Sequence, residues 1–257
     1  MKWLAMAGVL VSSVIVYMAC VSIKGTRTNP VIHKNLVKWE RTGDSAATTS
    51  LVKDSLGHIT TLETNLERNQ FTFCNDSLVL TEFSKEENRM VYYFKGKIDS
   101  TGKLTSGVAI ASYAAGSPDT VVHHFEYNEA GYLAKEFRDY GKNGVYTILY
   151  DYEKGDAVKI YTYYNDQLYN TKELEYYGSR DNLTGLEDFK FRRNINRLTG
   201  KTSSHLVKKI TSIGRGGKLN YSFDYEYETD EEGLPVKQVT KKGKKVNAVT
   251  TYYYARA

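Results

Sequence analysis

From Trp39 onward the chain alternates apolar or aromatic residues with polar ones at a period of two. Tyr221, Phe223, Tyr225 and Tyr227 interleave with Ser222, Asp224 and Glu226. The same rhythm returns at Tyr146, Ile148, Tyr150 and Tyr152, at Val158, Ile160, Thr162 and Tyr164, and at Tyr252 and Tyr254. Successive side chains of a strand point to opposite faces, so each stretch predicts a strand with one aromatic face and one wet face. Between strands a turn recurs: an aromatic strand runs into Asp or Asn, then Gly, then an apolar residue that opens the return strand. Copies are Phe125 to Leu133 through Asn128 and Gly131, Ile98 to Leu104 through Asp99 and Gly102, Tyr150 to Val158 through Gly155, and Tyr225 to Leu234 through Gly233. Asp and Asn bond their own backbone two residues on, and Gly takes the positive φ of the reversal. Hairpin after hairpin makes an all-β antiparallel meander, which this many strands must twist into a single curved sheet or a partial or closed barrel.

One segment breaks the rhythm. From Asp181 to about Leu198, Leu183, Leu186, Phe189 and Ile195 recur at helical spacing. The spacing predicts a short helical insert near 181–198, or an ordered loop, capped near Asp181 or Asn182 and covering an open end or face of the sheet.

The N-terminus carries an address. Lys2, an apolar run from Trp3 to Ala19 and then Cys20 have the layout of a secretory signal. Tyr17-Met18-Ala19-Cys20 resembles the lipobox of bacterial lipoproteins, although Tyr17 and Met18 depart from its pattern. Residues 1–20 are therefore expected to be a lipoprotein signal peptide, with Cys20 the lipid attachment site, 21–35 a tether and 36–257 a single β-meander domain. The competing reading is an uncleaved anchor, because the run is at the short end of a membrane span of about 20 residues. Acylated Cys20 would leave Cys74 as the only thiol, in the strand-like Phe71-Thr72-Phe73-Cys74, where it reads as a small hydrophobe. Val21-Ser22-Ile23-Lys24 lacks an acidic run, which favours the periplasmic side of an outer membrane over surface exposure.

Chemistry is sparse. The charge is only +5, from 35 Lys and Arg against 30 Asp and Glu, and implies no nucleic acid. The densest basic stretch, Lys237 to Lys245, reads as a hairpin tip. His123 and His124 are adjacent in a strand and point to opposite faces, so they cannot share a metal. His124 and Glu126 share a face, which permits a metal or acid-base pair, against the plainer reading of a cross-strand polar pair. No nucleophile elbow, zinc spacing or dinucleotide fingerprint occurs, and Gly214-Arg215-Gly216-Gly217-Lys218 lacks the form of a phosphate loop. No cofactor, metal site or catalytic residue is assigned. The 22 tyrosines could stack on sugars or cradle an acyl chain, or fill the sheet's own core.

Leu183-Thr184-Gly185-Leu186, the run Leu198 to Ile210 with Gly200-Lys201-Thr202-Ser203, Tyr225-Glu226-Tyr227 and Gly233-Leu234-Pro235-Val236-Lys237 together resemble a family. It is that of Bacteroidetes lipoproteins holding a domain of unknown function described as porin-like in fold, with hairpin repeats of the type aromatic-x-Tyr-Asp-x-x-Gly-x-Leu. The resemblance spans roughly Phe71 to Tyr254 and implies a curved sheet or barrel on a lipid anchor, with no reaction. A membrane barrel shows an outward apolar band, whereas Lys172, Glu173 and Glu175 sit in one strand here, so a soluble sheet is expected. Five Asp-Ser or Asp-Thr triplets resemble the O-glycosylation motif of exported Bacteroidetes proteins and mark Ser45, Ser55, Ser77, Ser100 and Thr120. The expected function is a non-catalytic, lipid-anchored envelope module. It would bind a glycan, peptide or protein partner, with a lipid carrier as the alternative and an enzyme as the weakest reading.

Overall fold

The structure is a computed structural model that describes residues 34–43, 46–111, 119–187 and 189–256. Sixteen strands run in chain order: β1 (Lys34–Gly43), β2 (Ala47–Lys53), β3 (Ile59–Glu63), β4 (Glu67–Cys74), β5 (Ser77–Ser84), β6 (Arg89–Ile98), β7 (Leu104–Ala111) and β8 (Asp119–Tyr127), then β9 (Leu133–Asp139), β10 (Val145–Glu153), β11 (Asp156–Tyr164), β12 (Gln167–Asp181), β13 (His205–Gly214), β14 (Leu219–Thr229), β15 (Pro235–Lys242) and β16 (Lys245–Arg256). Each pairs antiparallel with its neighbours in sequence, and β1 pairs with β16 from Lys34↔Arg256 to Gly43↔Ala248. The meander is thus a closed up-and-down barrel with no free edge.

The alternation sets which face is the lumen. In β8, Val121, His123 and Phe125 are buried while Thr120, His124 and Glu126 are exposed; in β6, Phe94, Gly96 and Ile98 are buried while Lys95 and Lys97 are exposed. The exterior carries Lys–Glu pairs across neighbouring strands: Lys135 with Glu126 at 3.0 Å, Lys159 with Glu173 at 3.3 Å, Lys209 with Glu175 at 4.0 Å and Lys237 with Glu228 at 2.6 Å. Charged residues therefore occupy the outward faces of strands β8, β9 and β11 to β15, where a membrane barrel would present its apolar band.

The predicted turns form with one chemistry. At Asp54, Asp99, Asn128 and Asp230 the residue closes a five-residue turn by backbone bonds, and its side-chain oxygen accepts from the amide four residues on. The glycine of each, Gly57, Gly102, Gly131 or Gly233, has φ between 79° and 85°. The turn at Gly155 is a tighter one, Lys154-Gly155, and the Asp54 copy adds to those read from sequence. Because strands alternate in direction, all of these turns lie at one end of the barrel, together with the start of β1 at Lys34 and the finish of β16 at Arg256.

At that same end, the chain between β12 and β13 folds inward as a plug. Ser204 donates from its amide to Gly155, Lys201 to Gly131, and Leu198 accepts from Leu104, so the plug bonds to three successive hairpins. Asn196 bonds both backbone groups of Ile59, at 2.7 and 2.8 Å. Phe191, Ile195 and Leu198 join the core with Leu78, Leu80, Phe94, Leu104, Phe125 and Leu133. The insert is ordered and covers an end, and its helical content is one 3-10 run, Phe191–Arg197, within which Arg192, Arg193, Asn194 and Asn196 have left-handed φ, as the sequence pattern did not foresee. Leu183, Leu186 and Phe189 are half-buried at its margin.

Candidate functional site

The plug fills the lumen beside β4 to β11 and leaves space elsewhere. A cavity of about 780 Å³ extends from plug residues Lys190, Arg192, Arg193 and Ile195 to Ala46, Asn65 and Leu66 at the opposite end, with Trp39, Arg41, Asn69 and Phe71 in its walls. A smaller one, about 90 Å³, lies against Tyr225, Tyr227, Gln238 and Tyr252 and shares Trp39, Arg41 and Arg193 with the first. The larger is within the range of small-molecule sites.

Its floor is built by an unusual backbone. Arg192, Arg193 and Asn194 have φ of 47°, 55° and 52°, a conformation that costs L-residues roughly 1–2 kcal/mol each. Buried side chains hold it in place. Asn194 accepts from the amide and hydroxyl of Thr199 and donates to Gly200. Gly200 has φ of 79°, and a Cβ there would come within 2.5 Å of the Gly131 carbonyl, so no other residue fits. Ser203 donates twice to Glu187, whose other oxygen meets Lys190 at 2.7 Å. Burial pulls the Lys190 ammonium below its usual pKa, with Glu187 opposing. Arg192 bonds Glu82 at 2.7 Å and lies 4.1 Å from the Tyr92 ring centre. Arg193 is exposed, its guanidinium 5.6 Å over Trp39. Burial and Glu82 raise the Glu67 carboxyl, partly offset by Arg192 and Arg193.

A second polar cluster lies in the β8–β10 wall. Glu136, fully buried, accepts from Arg138 at 2.6 Å with His123 at 3.6 Å. Burial works against its charge, but Arg138 and His123 hold its carboxyl below the usual range. The His123 ring packs between Phe94, Phe125 and Phe191, which shields the group from the cavity.

The residues singled out by sequence are scattered. Cys20 and Ser45 lie outside the described residues. Ser55 and Ser100 are exposed in turns, Thr120 is exposed on β8, and Ser77 is half-buried with its hydroxyl donating to Cys74. His124 and Glu126 both face outward, yet Glu126 pairs with Lys135 and His124 lies against Phe137, so they are not brought together as an acid-base pair. Sequence reasoning missed the lumen groups altogether. His123 and Glu126 were separable by alternation, but Glu136, Glu187, Lys190 and Arg192 are joined to their partners only by the fold. Among the described residues no three His, Cys, Asp or Glu gather as a metal site.

Solved structures close in shape include two porin-like proteins. A porin-like protein from Bacteroides uniformis aligns over 86% of this chain and 96% of its own, with TM-score 0.62 and 13% identity. The barrel is a porin-like fold. A porin-like protein from Bacteroides vulgatus aligns over 86% and 98%, with TM-score 0.63 and 15% identity. No family model matches the chain, and no curated protein matches it. At this identity the likeness is one of architecture, and the porin-like barrel here differs from an open pore in having its lumen plugged at one end.

Proposed function

We propose that the protein is a non-catalytic envelope module, anchored through lipid on Cys20, that binds a glycan or similar polar ligand inside its lumen. The observation that carries this reading is the cavity of about 780 Å³ between the plug and the opposite end. It is walled by aromatic rings beside amide, hydroxyl and charged groups, the mixture that fixes a polar ligand. A lipid carrier needs a continuous apolar cavity, and Arg41, Thr49, Glu67, Asn69, Lys190, Arg192 and Arg193 line this one. The exposed Ser55, Ser100 and Thr120 are the hydroxyls that O-glycosylation would reach. The periplasmic side of the outer membrane is the proposed location.

Two measurements test the reading. Trp39 is the only tryptophan after Trp3 and lines the cavity, so its fluorescence reports occupancy. Glycans that bind should shift it in the parent and not in a folded Thr49→Phe variant, in which the added ring fills the space. Binding that ignores Thr49→Phe places the ligand elsewhere. Mass spectrometry should find an acylated Cys20 that is lost in Cys20→Ala; an unmodified chain retaining Met1 rejects the anchor.

A further inference from the structure

We propose that one sector of the barrel end opposite the plug docks on an anionic lipid surface, through the neighbouring hairpin tips of β13–β14 and β15–β16. The proposal is independent of what the lumen binds.

Two basic stretches that stand apart in sequence meet there. The Arg215–Gly217 turn between β13 and β14 and the turn at Gly243 between β15 and β16 both lie at the end away from the plug. Their hairpins are joined by the β14–β15 ladder, in which Asp224 stands opposite Lys241. On the other side Arg215 donates to Gln167 at 3.1 Å and ties in the β11–β12 tip. Arg215, Lys218, Lys242, Lys244 and Lys245 are all exposed, and across 164–169, 215–220 and 242–246 the one carboxylate is Asp166. At the β5–β6 tip of the same end the cations are matched: Lys85 meets Glu63 at 2.7 Å, and Arg89 meets Glu87. Lys241, lower on β15, is matched by Glu226. Among the described residues Lys218, Lys242, Lys244 and Lys245 form no such ion pair. Positive charge held at a surface without local acids attracts an anionic one.

Exposed apolar side chains distinguish a lipid surface from a soluble polyanion. Burial alternates along the strands of the wall, but here the alternation stops: Tyr164 to Tyr169, Arg215 to Asn220 and Lys242 to Val246 are exposed without interruption. Both faces of these tips therefore stand clear of the wall. Tyr169, Leu219 and Val246 expose 58%, 59% and 50% of their surface there, with Leu168 beside them. A polyanion gains nothing from such groups. A bilayer takes lysine at its headgroups and leucine, valine and tyrosine at the acyl boundary beneath them.

The test uses the full chain with its own N-terminus, reconstituted in phosphatidylcholine vesicles and mixed with labelled acceptor vesicles, whose capture is read by flotation. Lys34 lies at the other end of the barrel from the patch, so an N-terminal anchor leaves the patch accessible to an acceptor. Acceptors containing phosphatidylglycerol should be captured about tenfold or more better than pure phosphatidylcholine ones. The difference should vanish in about 1 M salt, where the screening length is about 3 Å. Lys244→Ser/Lys245→Ser should lower capture about tenfold. Leu219→Ser/Val246→Ser should lower it severalfold, and neither pair should change the melting temperature, because all four side chains are exposed. Lys95→Ser/Lys97→Ser removes the same charge from the outer face of β6 and should leave capture unchanged. An equal loss there makes net charge the cause and overturns the patch. Capture indifferent to Leu219→Ser/Val246→Ser and abolished by soluble polyphosphate overturns the lipid in favour of a polyanion. Equal capture of neutral and anionic acceptors overturns the proposal outright. A chain that does not enter phosphatidylcholine vesicles loses the anchor reading alone, and direct flotation of the same variants with anionic vesicles then decides by the same outcomes.

Discussion

Glu136 shows what a single buried charge does in this barrel wall. Its carboxylate is fully buried and served by Arg138 and His123. Replacing it with Gln leaves a cation without its partner, a change that costs roughly 3 kcal/mol in comparable settings, measurable by urea unfolding at neutral pH. The pH sign follows from the direction of the shift. The folded carboxyl is held below its unfolded value, so its contribution is present above about pH 4.3 and is lost as pH falls through the folded pKa. The stability gap between parent and Glu136→Gln should therefore shrink between about pH 5 and pH 3. Gly107 makes a steric point in the next strand pair. It stands opposite Gly96, and the fully buried Phe94 ring lies over both, where a Cβ on either would strike it. Gly107→Ala should lower stability by about 1–3 kcal/mol through overpacking.

At the scale of elements, the hairpins were readable because their chemistry is local. Asp99 carries its own turn: its carboxylate accepts from the Thr101 amide at 2.8 Å and the Lys103 amide at 3.1 Å. Asp99→Ala should cost about 1 kcal/mol, seen as a lower melting temperature with the barrel spectrum retained. Period two likewise placed Ile148, Tyr150 and Ile160 on a buried face without reference to any partner. The plug resisted such reading. Leu183, Leu186, Phe189 and Ile195 suggested a helical stripe; of these Ile195 is buried in the core beside Phe191 and Leu198, and Leu186 and Phe189 pack at its margin, an arrangement made by left-handed turns that hydrophobic spacing does not encode. Its fixing bonds join residues far apart in sequence, as when Asn196 caps Ile59. Asn196→Ala removes both bonds and should raise hydrogen exchange across 191–198 before the strands are affected. The candidate site was illegible for the same reason. Trp39, Asn69 and Arg193 lie in three distant stretches, and only closure of β1 on β16 encircles a space between them.

For the whole molecule, exterior Lys–Glu pairs give β8, β9 and β11 to β15 a charged outer face. A Cys20→Ala chain freed of its signal should stay monodisperse without detergent, by light scattering, where a membrane barrel would aggregate. The strand count is that of porins, which leave an aqueous channel, yet here a plug occupies part of the lumen at one end. Both chain ends, at Lys34 and Arg256, emerge at that end. With Cys20 as the point of attachment, at most 13 residues, 21–33, separate lipid from barrel, a leash of roughly 50 Å at full stretch. An anchor there would join the barrel at its plugged end, leaving the opposite mouth, where Ala46, Asn65 and Leu66 line the larger cavity, as the one facing away from the point of attachment, like the rim of a tethered cup.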